Sequence, residues 1–172
     1  MDHAPSAVSR TDRARAWVAS LRENFRTVIL ATVSPAGEPE ASVAGAALAA
    51  DGSFLIFVSG LAAHTRHLLA TGRASVLLAE DEAATAQPLA RRRLSFPCAA
   101  VAIPRSDPAY TPGQQLLRER LGPAFDLVSG LGDFELIRLT PRTGRLVAGF
   151  GETYEVDSGD WTKFSAPIRP RG

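Results

Sequence analysis

Residues 27–58 read TVILATVSPAGEPEASVAGAALAADGSFLIFV. Three runs of apolar, β-branched or small residues, Thr27–Val33, Glu40–Leu48 and Phe54–Val58, are separated by Ser34-Pro35-Ala36-Gly37 with Pro39, and by Asp51-Gly52. Val, Ile, Thr and Phe suit a pleated, half-buried surface, whereas Pro presets φ and Gly supplies left-handed backbone, so the chain reverses at both interruptions. Connections this short join antiparallel strands, because a parallel return needs a crossover of a dozen residues or more. The stretch therefore predicts a three-stranded antiparallel meander.

On the N-terminal side, residues 1–10 read as a polar, disordered tail. Ser9-Arg10-Thr11-Asp12 has the spacing of a capping box, with Ser9 or Thr11 as the cap. Ala14, Trp17, Val18, Leu21 and Phe25 then fall on one face of a helix of about four turns. On the C-terminal side, Leu61–Ala70 carries a helical period that ends at Gly72, and Ala74–Ala79 is a fourth strand. Glu80–Pro88 is polar and without period, a loop. Leu94–Ile103 is a fifth strand stopped by Pro104, and Thr111-Pro112 opens a helix that runs to Leu121. Phe134–Leu139 and Leu146–Phe150 are further strands, with Pro141–Gly144 read as a turn between them, and Tyr154–Val156 adds a short eighth. Six to eight tightly turned strands with helices between and around them predict a mainly β (α+β) chain, a small antiparallel barrel occupying residues 11–172 as one domain.

Composition narrows the function classes. At 172 residues the chain can bury roughly two-thirds of its unfolded surface and needs no staple. Nineteen basic against eighteen acidic residues gives +1, so no charge argument points to nucleic acid or an anionic membrane. Lys163 is the one lysine among the nineteen, so an anion site here is built from arginine. A single cysteine, Cys98, excludes a disulfide framework and a multi-cysteine metal site, and its neighbours Ala99 and Ala100 make it a small core residue rather than a nucleophile. No apolar run approaches the ~20 residues of a membrane-spanning helix, and the N-terminus lacks the apolar region of a secretory signal, so a cytoplasmic protein is expected.

Few motifs survive inspection. Gly130-Leu131-Gly132 and Gly149-Phe150-Gly151 lack the third glycine of a dinucleotide fingerprint, and neither lies between a strand and a helix. There is no P-loop and no nucleophile elbow. His64 and His67, three apart on a predicted helix, have no third ligand at metal-site spacing, so no metal is expected. Arg91-Arg92-Arg93 is a dense basic run that serves an anion only with partners from elsewhere. What does stand out is Phe54–Leu69, a strand, a glycine-bearing turn and a helix whose start offers Ser59, His64, Thr65 and Arg66. Free amides and the positive end of the dipole at such a start favour a phosphate, and Arg66 adds a forked donor.

The runs SGLAAHTRHL (59–68), PLARRRL (88–94), DFELIRL (133–139) and GFG (149–151), in this order, resemble the FMN-binding split-barrel proteins related to pyridoxamine 5′-phosphate oxidase, and most of all their haem-utilisation branch. The resemblance spans about residues 26–157. It implies a six-stranded antiparallel FMN-binding split β-barrel with flanking helices that forms a homodimer with cofactor clefts at the interface. It also implies that Ser59, His64, Thr65 and Arg66 form the phosphate-binding segment, Arg66 standing where lysine is usual in the oxidases, with Ser42 and Arg93 as further cofactor contacts. The function expected first is that of a flavin-dependent oxidoreductase with an unknown small-molecule substrate. Pyridoxamine phosphate is not expected, because WTKFSAPIRPRG (161–172) does not resemble the oxidases' recognition segment. The alternatives are a haem-binding or haem-degrading protein, a non-catalytic flavin sensor, or a deazaflavin protein. Haem-degrading members take their iron ligand from a C-terminal histidine. Here the last histidine is His67, which leaves His64 as the one imidazole for the iron, and the resemblance makes His64 a pocket-side residue rather than the axial ligand. If the clefts lie between two chains, light scattering at micromolar concentration will give twice the 18.3 kDa chain mass; a mass of 18.3 kDa would rule out a shared site.

Overall fold

The computed structural model describes residues 9–165, so most of the expected tail and the last seven residues lie outside the described residues. Ser9 is the N-cap of the first helix, α1 (Arg10–Asn24): its Oγ accepts from the Asp12 amide at 3.1 Å. The meander forms as β1 (Thr27–Val33), β2 (Pro39–Leu48) and β3 (Phe54–Ser59), with Ile29 opposite Val43 and Ala46 opposite Ile56. Then come α2 (Ala63–Thr71), β4 (Arg73–Ala79), β5 (Arg93–Ile103), α3 (Tyr110–Leu121), α4 (Pro123–Ser129), β6 (Phe134–Pro141), β7 (Gly144–Gly149) and β8 (Glu152–Val156). The strand order β4-β1-β2-β3-β6-β5, closed by pairing of β4 with β5, is a six-stranded antiparallel barrel with four flanking helices.

Two expectations need correction. Pro141–Gly144 has the composition of a turn, yet the chain does not reverse there. β6 and β7 run the same way along one edge of β5, and the register slips by one residue between Cys98↔Pro141 and Ser95↔Arg145. Arg142-Thr143 is thus a bulge in one long bent strand. Phe96 sits opposite it, and a Cβ on Gly144 would run into the Phe96 ring, so the bend requires glycine. Pro97, which has no N–H to donate, falls in the gap where β5 changes partner. The second correction is α4, seven residues begun by Pro123, which is too short to show a helical period in the sequence. The polar stretch 80–90 also holds two single 3₁₀ turns, Glu82–Ala84 and Pro88–Ala90.

The barrel interior is filled by alternate residues of every strand, among them Leu30, Ala46, Phe54, Ile56, Val76, Leu94, Phe96 and Leu139. β3 is buried on both faces, because Leu55 and Phe57 pack outward against Leu117 and Phe125 of α3 and α4. Strand directions define two ends. At the lower one, α1 contributes Ala14 and Val18, and Trp161 from the C-terminal segment packs among Phe25, Phe54 and Phe96 at centroid distances of 6.3, 5.6 and 5.1 Å. At the upper one, α2 packs chiefly on β1 and β5 and buries Thr65 and Leu68. Trp161→Ala removes the largest fully buried side chain and leaves a cavity, so it should cost about 3–5 kcal/mol in denaturant unfolding. A loss under about 1 kcal/mol would mean the C-terminal segment is peripheral to the barrel.

Candidate functional site

The upper end of the barrel gathers most of the polar residues expected to matter. Gly60 must be glycine, because its amide donates to the Asp133 carbonyl at 2.6 Å and an added Cβ would lie 2.9 Å from the same oxygen. That close approach pins the turn after β3 to the start of β6. The Ser59 hydroxyl donates to the Asp133 carboxylate at 2.7 Å and accepts from the Leu61 amide at 3.2 Å. Thr65, fully buried, donates from Oγ1 to the Ser59 carbonyl at 2.6 Å. Arg66 turns back to donate from Nη1 to the Leu61 carbonyl at 2.6 Å. Three of the four residues expected to cradle a phosphate are thus brought together, but both hydroxyl protons are held inside the protein and a carboxylate sits beside them.

His64 and His67 project from α2 toward β1 and β2. His67 Nδ1 lies 3.2 Å from Thr32 Oγ1 and 3.7 Å from Glu40 Oε2, and Thr32 stands opposite Glu40 in the β1–β2 register. Burial pushes the His64 imidazole below its ordinary value; Glu40 opposes this and His67 reinforces it. Burial thus favours the neutral form of the His64 imidazole over the charged one. Ser42 shares the strand face of Glu40, and its buried Oγ has no hydrogen-bond partner.

Arg93 is elsewhere. It begins β5 at the lower end, seven residues from Ala100, whose amide meets the carbonyl of Gly72 just after α2. That is about 23 Å along the strand at ~3.3 Å per residue. One chain does not bring Arg93 to α2. The basic run instead organises stretch 80–92: Arg91 donates to the Glu80 carbonyl, Arg92 pairs with the Glu80 carboxylate and lies over the Trp17 ring at 5.2 Å, and Arg93 donates to the Arg91 carbonyl at 2.9 Å. The hydrogen bond from Arg92 is the main reason the Glu80 carboxyl is held below its usual range. Burial pushes the Cys98 thiol up to about 12, which leaves it protonated and unreactive. Among the described residues, no group of three or more His, Cys, Asp or Glu is placed to hold a metal ion, and no helix is long and apolar enough to cross a membrane.

Sequence reading overlooked Glu40, Thr32 and Asp133. The turn at Ser34–Gly37 contains the signal for the first two, since it sets the hairpin register that puts Thr32 opposite Glu40. Asp133 opens the DFELIRL run, but nothing local shows that its carboxylate reaches Ser59 across 74 residues.

The lowered His64 pKa fixes a direction for stability against pH. The unfolded chain takes up the His64 proton more readily than the folded one, so stability is full above the ordinary imidazole value of about 6.5 and declines as pH falls toward the lower folded value. Chemical denaturation between about pH 7 and 5 should show this decline, and His64→Gln should flatten it. A slope unchanged by the substitution would mean that His64 is solvated in the folded protein.

Comparison with known proteins places the fold. Residues 13–148 match the pyridoxamine 5′-phosphate oxidase family. The haem oxygenase HutZ of Vibrio cholerae is 34% identical over 147 residues, which cover 86% of this chain and 83% of that protein. The chloroplastic haem oxygenase HOZ of Arabidopsis thaliana is 31% identical over 127 residues, 74% of this chain but 37% of that longer protein. The crystal structure of HutZ, described as a haem storage protein of Vibrio cholerae, superposes with a TM-score of 0.70 at 31% identity over 74% of this chain and 89% of that one. With the closed six-stranded barrel, these matches establish that the chain belongs to the pyridoxamine 5′-phosphate oxidase family and that its similarity runs to haem-utilisation proteins within it.

Proposed function

We propose that this chain binds haem, as substrate or cargo, beside the upper end of its barrel, and that flavin binding is the secondary reading. The observation that carries this is the 34% identity to HutZ across most of both chains. Site geometry supports it in two ways. A phosphate beside α2 would meet the Asp133 carboxylate and two hydroxyls whose protons are already donated within the chain. A haem iron instead needs an unprotonated nitrogen or a similar ligand, and His64 supplies a half-buried neutral imidazole. Haem would bring the oxygen or redox chemistry; the chain would bring the pocket, the ligand and the exclusion of water.

A second copy belongs to this reading. The outer faces of β1, β2 and β4 carry Ile29, Val43, Ala31, Ala41 and Leu77 side by side, with Ile29 39% and Val43 64% exposed. A two-fold partner seated there would cover the patch and bring a second set of lower-end residues, Arg93 included, toward the upper end of its neighbour. The flavin reading keeps one specific observation, the buried and unpartnered Ser42 hydroxyl on β2, which a ring heteroatom could satisfy.

Titration of the purified protein with haem, followed by visible absorption, should give a sharp Soret band that saturates at one haem per chain. His64→Ala should shift or weaken that band. A parent protein that shows no Soret change, but keeps two broad flavin bands through desalting after FMN is added, would reverse the order of the two readings.

A further inference from the structure

α2 is a short helix with a weak start. Nine residues are too few to hold a helix in water on their own. Its N-cap is Ala62, which gives no side-chain hydrogen bond, and alanine is a poor residue at that position. The first hydrogen bond of the helix, from the Arg66 amide to the Ala62 carbonyl, is long at 3.4 Å. His64 stands in this first turn, directly after Ala63. The direction of its imidazole is therefore set by whatever holds the turn from outside the helix.

Thr65, the next residue, supplies that hold. Its side chain is fully buried, and Oγ1 donates to the Ser59 carbonyl at 2.6 Å, which ties the first turn of α2 to the last residue of β3. Branching at Cβ restricts the Thr65 side chain to few rotamers, so the tie is stiff. The same carbonyl accepts from the Ala62 amide at 3.1 Å, and the Ser59 side chain is fixed in turn on Asp133 at the start of β6. A hydroxyl has one proton, and that of Thr65 is spent inside the chain, so the residue has no donor left for a ligand.

We propose that Thr65 is a positioning residue for His64: through the Ser59 carbonyl it fixes the first turn of α2, and with it the direction in which the imidazole meets haem. The assignment rests on the haem reading above. It gives Thr65 a different task from the phosphate contact that the resemblance implies.

Thr65→Val keeps the shape of the side chain and removes only the donor. The Ser59 carbonyl retains the Ala62 amide, so no buried polar group is orphaned and thermal unfolding should remain cooperative. If it does not, Thr65→Ala, which also lacks the donor and adds no bulk, takes its place. In visible titration Thr65→Val should weaken haem binding by about 3- to 10-fold, the scale of one hydrogen bond, and move the Soret band the way His64→Ala moves it. Thr65→Ser, which keeps the hydroxyl, should restore the band. Added to His64→Ala, Thr65→Val should have no further effect, because a residue that acts through another is not additive with it. In the protein without haem, hydrogen exchange at the Arg66 amide should quicken in Thr65→Val. Thr71 gives the comparison: its Oγ1 donates to the His67 carbonyl at 2.8 Å in the last turn of α2, so Thr71→Val loosens the same helix at its other end and should leave the band in place. Equal effects of Thr65→Val and Thr71→Val, or additive effects of Thr65→Val and His64→Ala, would make Thr65 a helix-stabilising residue only and overturn the assignment while haem binding stands. A parent protein without a Soret change removes the haem reading and the assignment with it. An FMN-over-riboflavin preference that disappears in Thr65→Val would make Thr65 a phosphate contact and likewise overturn the assignment.

Discussion

β5 carries the architecture, because it is the strand on which the barrel closes. Its eleven residues pair with β4 along one edge and with β6 and then β7 along the other. A sheet that closes leaves no unpaired edge within the ring, and closure is what gives this molecule an inside and two ends. The bulge at Arg142-Thr143 lets the long β6–β7 strand bend past Phe96, and Gly144 and Pro97 are the residues that tolerate the bend. Everything placed on that edge, from the aromatic cluster inside to Arg142 outside, takes its position from this one irregularity.

The two ends then differ in chemistry because different residues close them. The lower end is sealed by rings and by α1, with a buried tryptophan at its centre. The upper end is closed by a nine-residue helix that enters through a Gly60 turn and buries only Thr65 and Leu68, so imidazole, hydroxyl and carboxylate groups collect around it. Dense packing at one end makes it a foundation. Half-buried polar groups gather at the other.

Much of this organisation was legible in the sequence. The first strand is recognisable residue by residue, since Thr27–Val33 is β-branched and apolar throughout and ends at a proline-bearing turn. The composition of 141–144 misleads, because a bulge and a turn both favour Gly and short polar residues; they differ only in what pairs with the flanking strands. The phosphate reading of Ser59 and Thr65 identified residues that do come together, yet their hydroxyls point inward to Asp133 and to a backbone carbonyl, and no local pattern shows a hydrogen bond spanning 74 residues. The resemblance makes Arg93 a further cofactor contact, and the register of β4 on β5 places it within one chain at the end opposite α2.

Charge placement is the remaining constraint on what the protein can hold. With nineteen basic and eighteen acidic residues the chain is nearly neutral, yet among the described residues only Arg10, Arg15, Arg91, Arg92, Arg118 and Lys163 stand in ion pairs with carboxylates. Around α2 the acids Glu40 and Asp133 lie beside His67 and Ser59, so a strongly anionic group there meets like charge. On the adjoining wall the imbalance has the opposite sign, with Arg73 and Arg142 on a cavity without an acid. A flavin nucleotide has its charge on a phosphate at the end of a flexible chain, and the barrel offers no uncompensated cation at the helix start beyond Arg66, already folded back on Leu61.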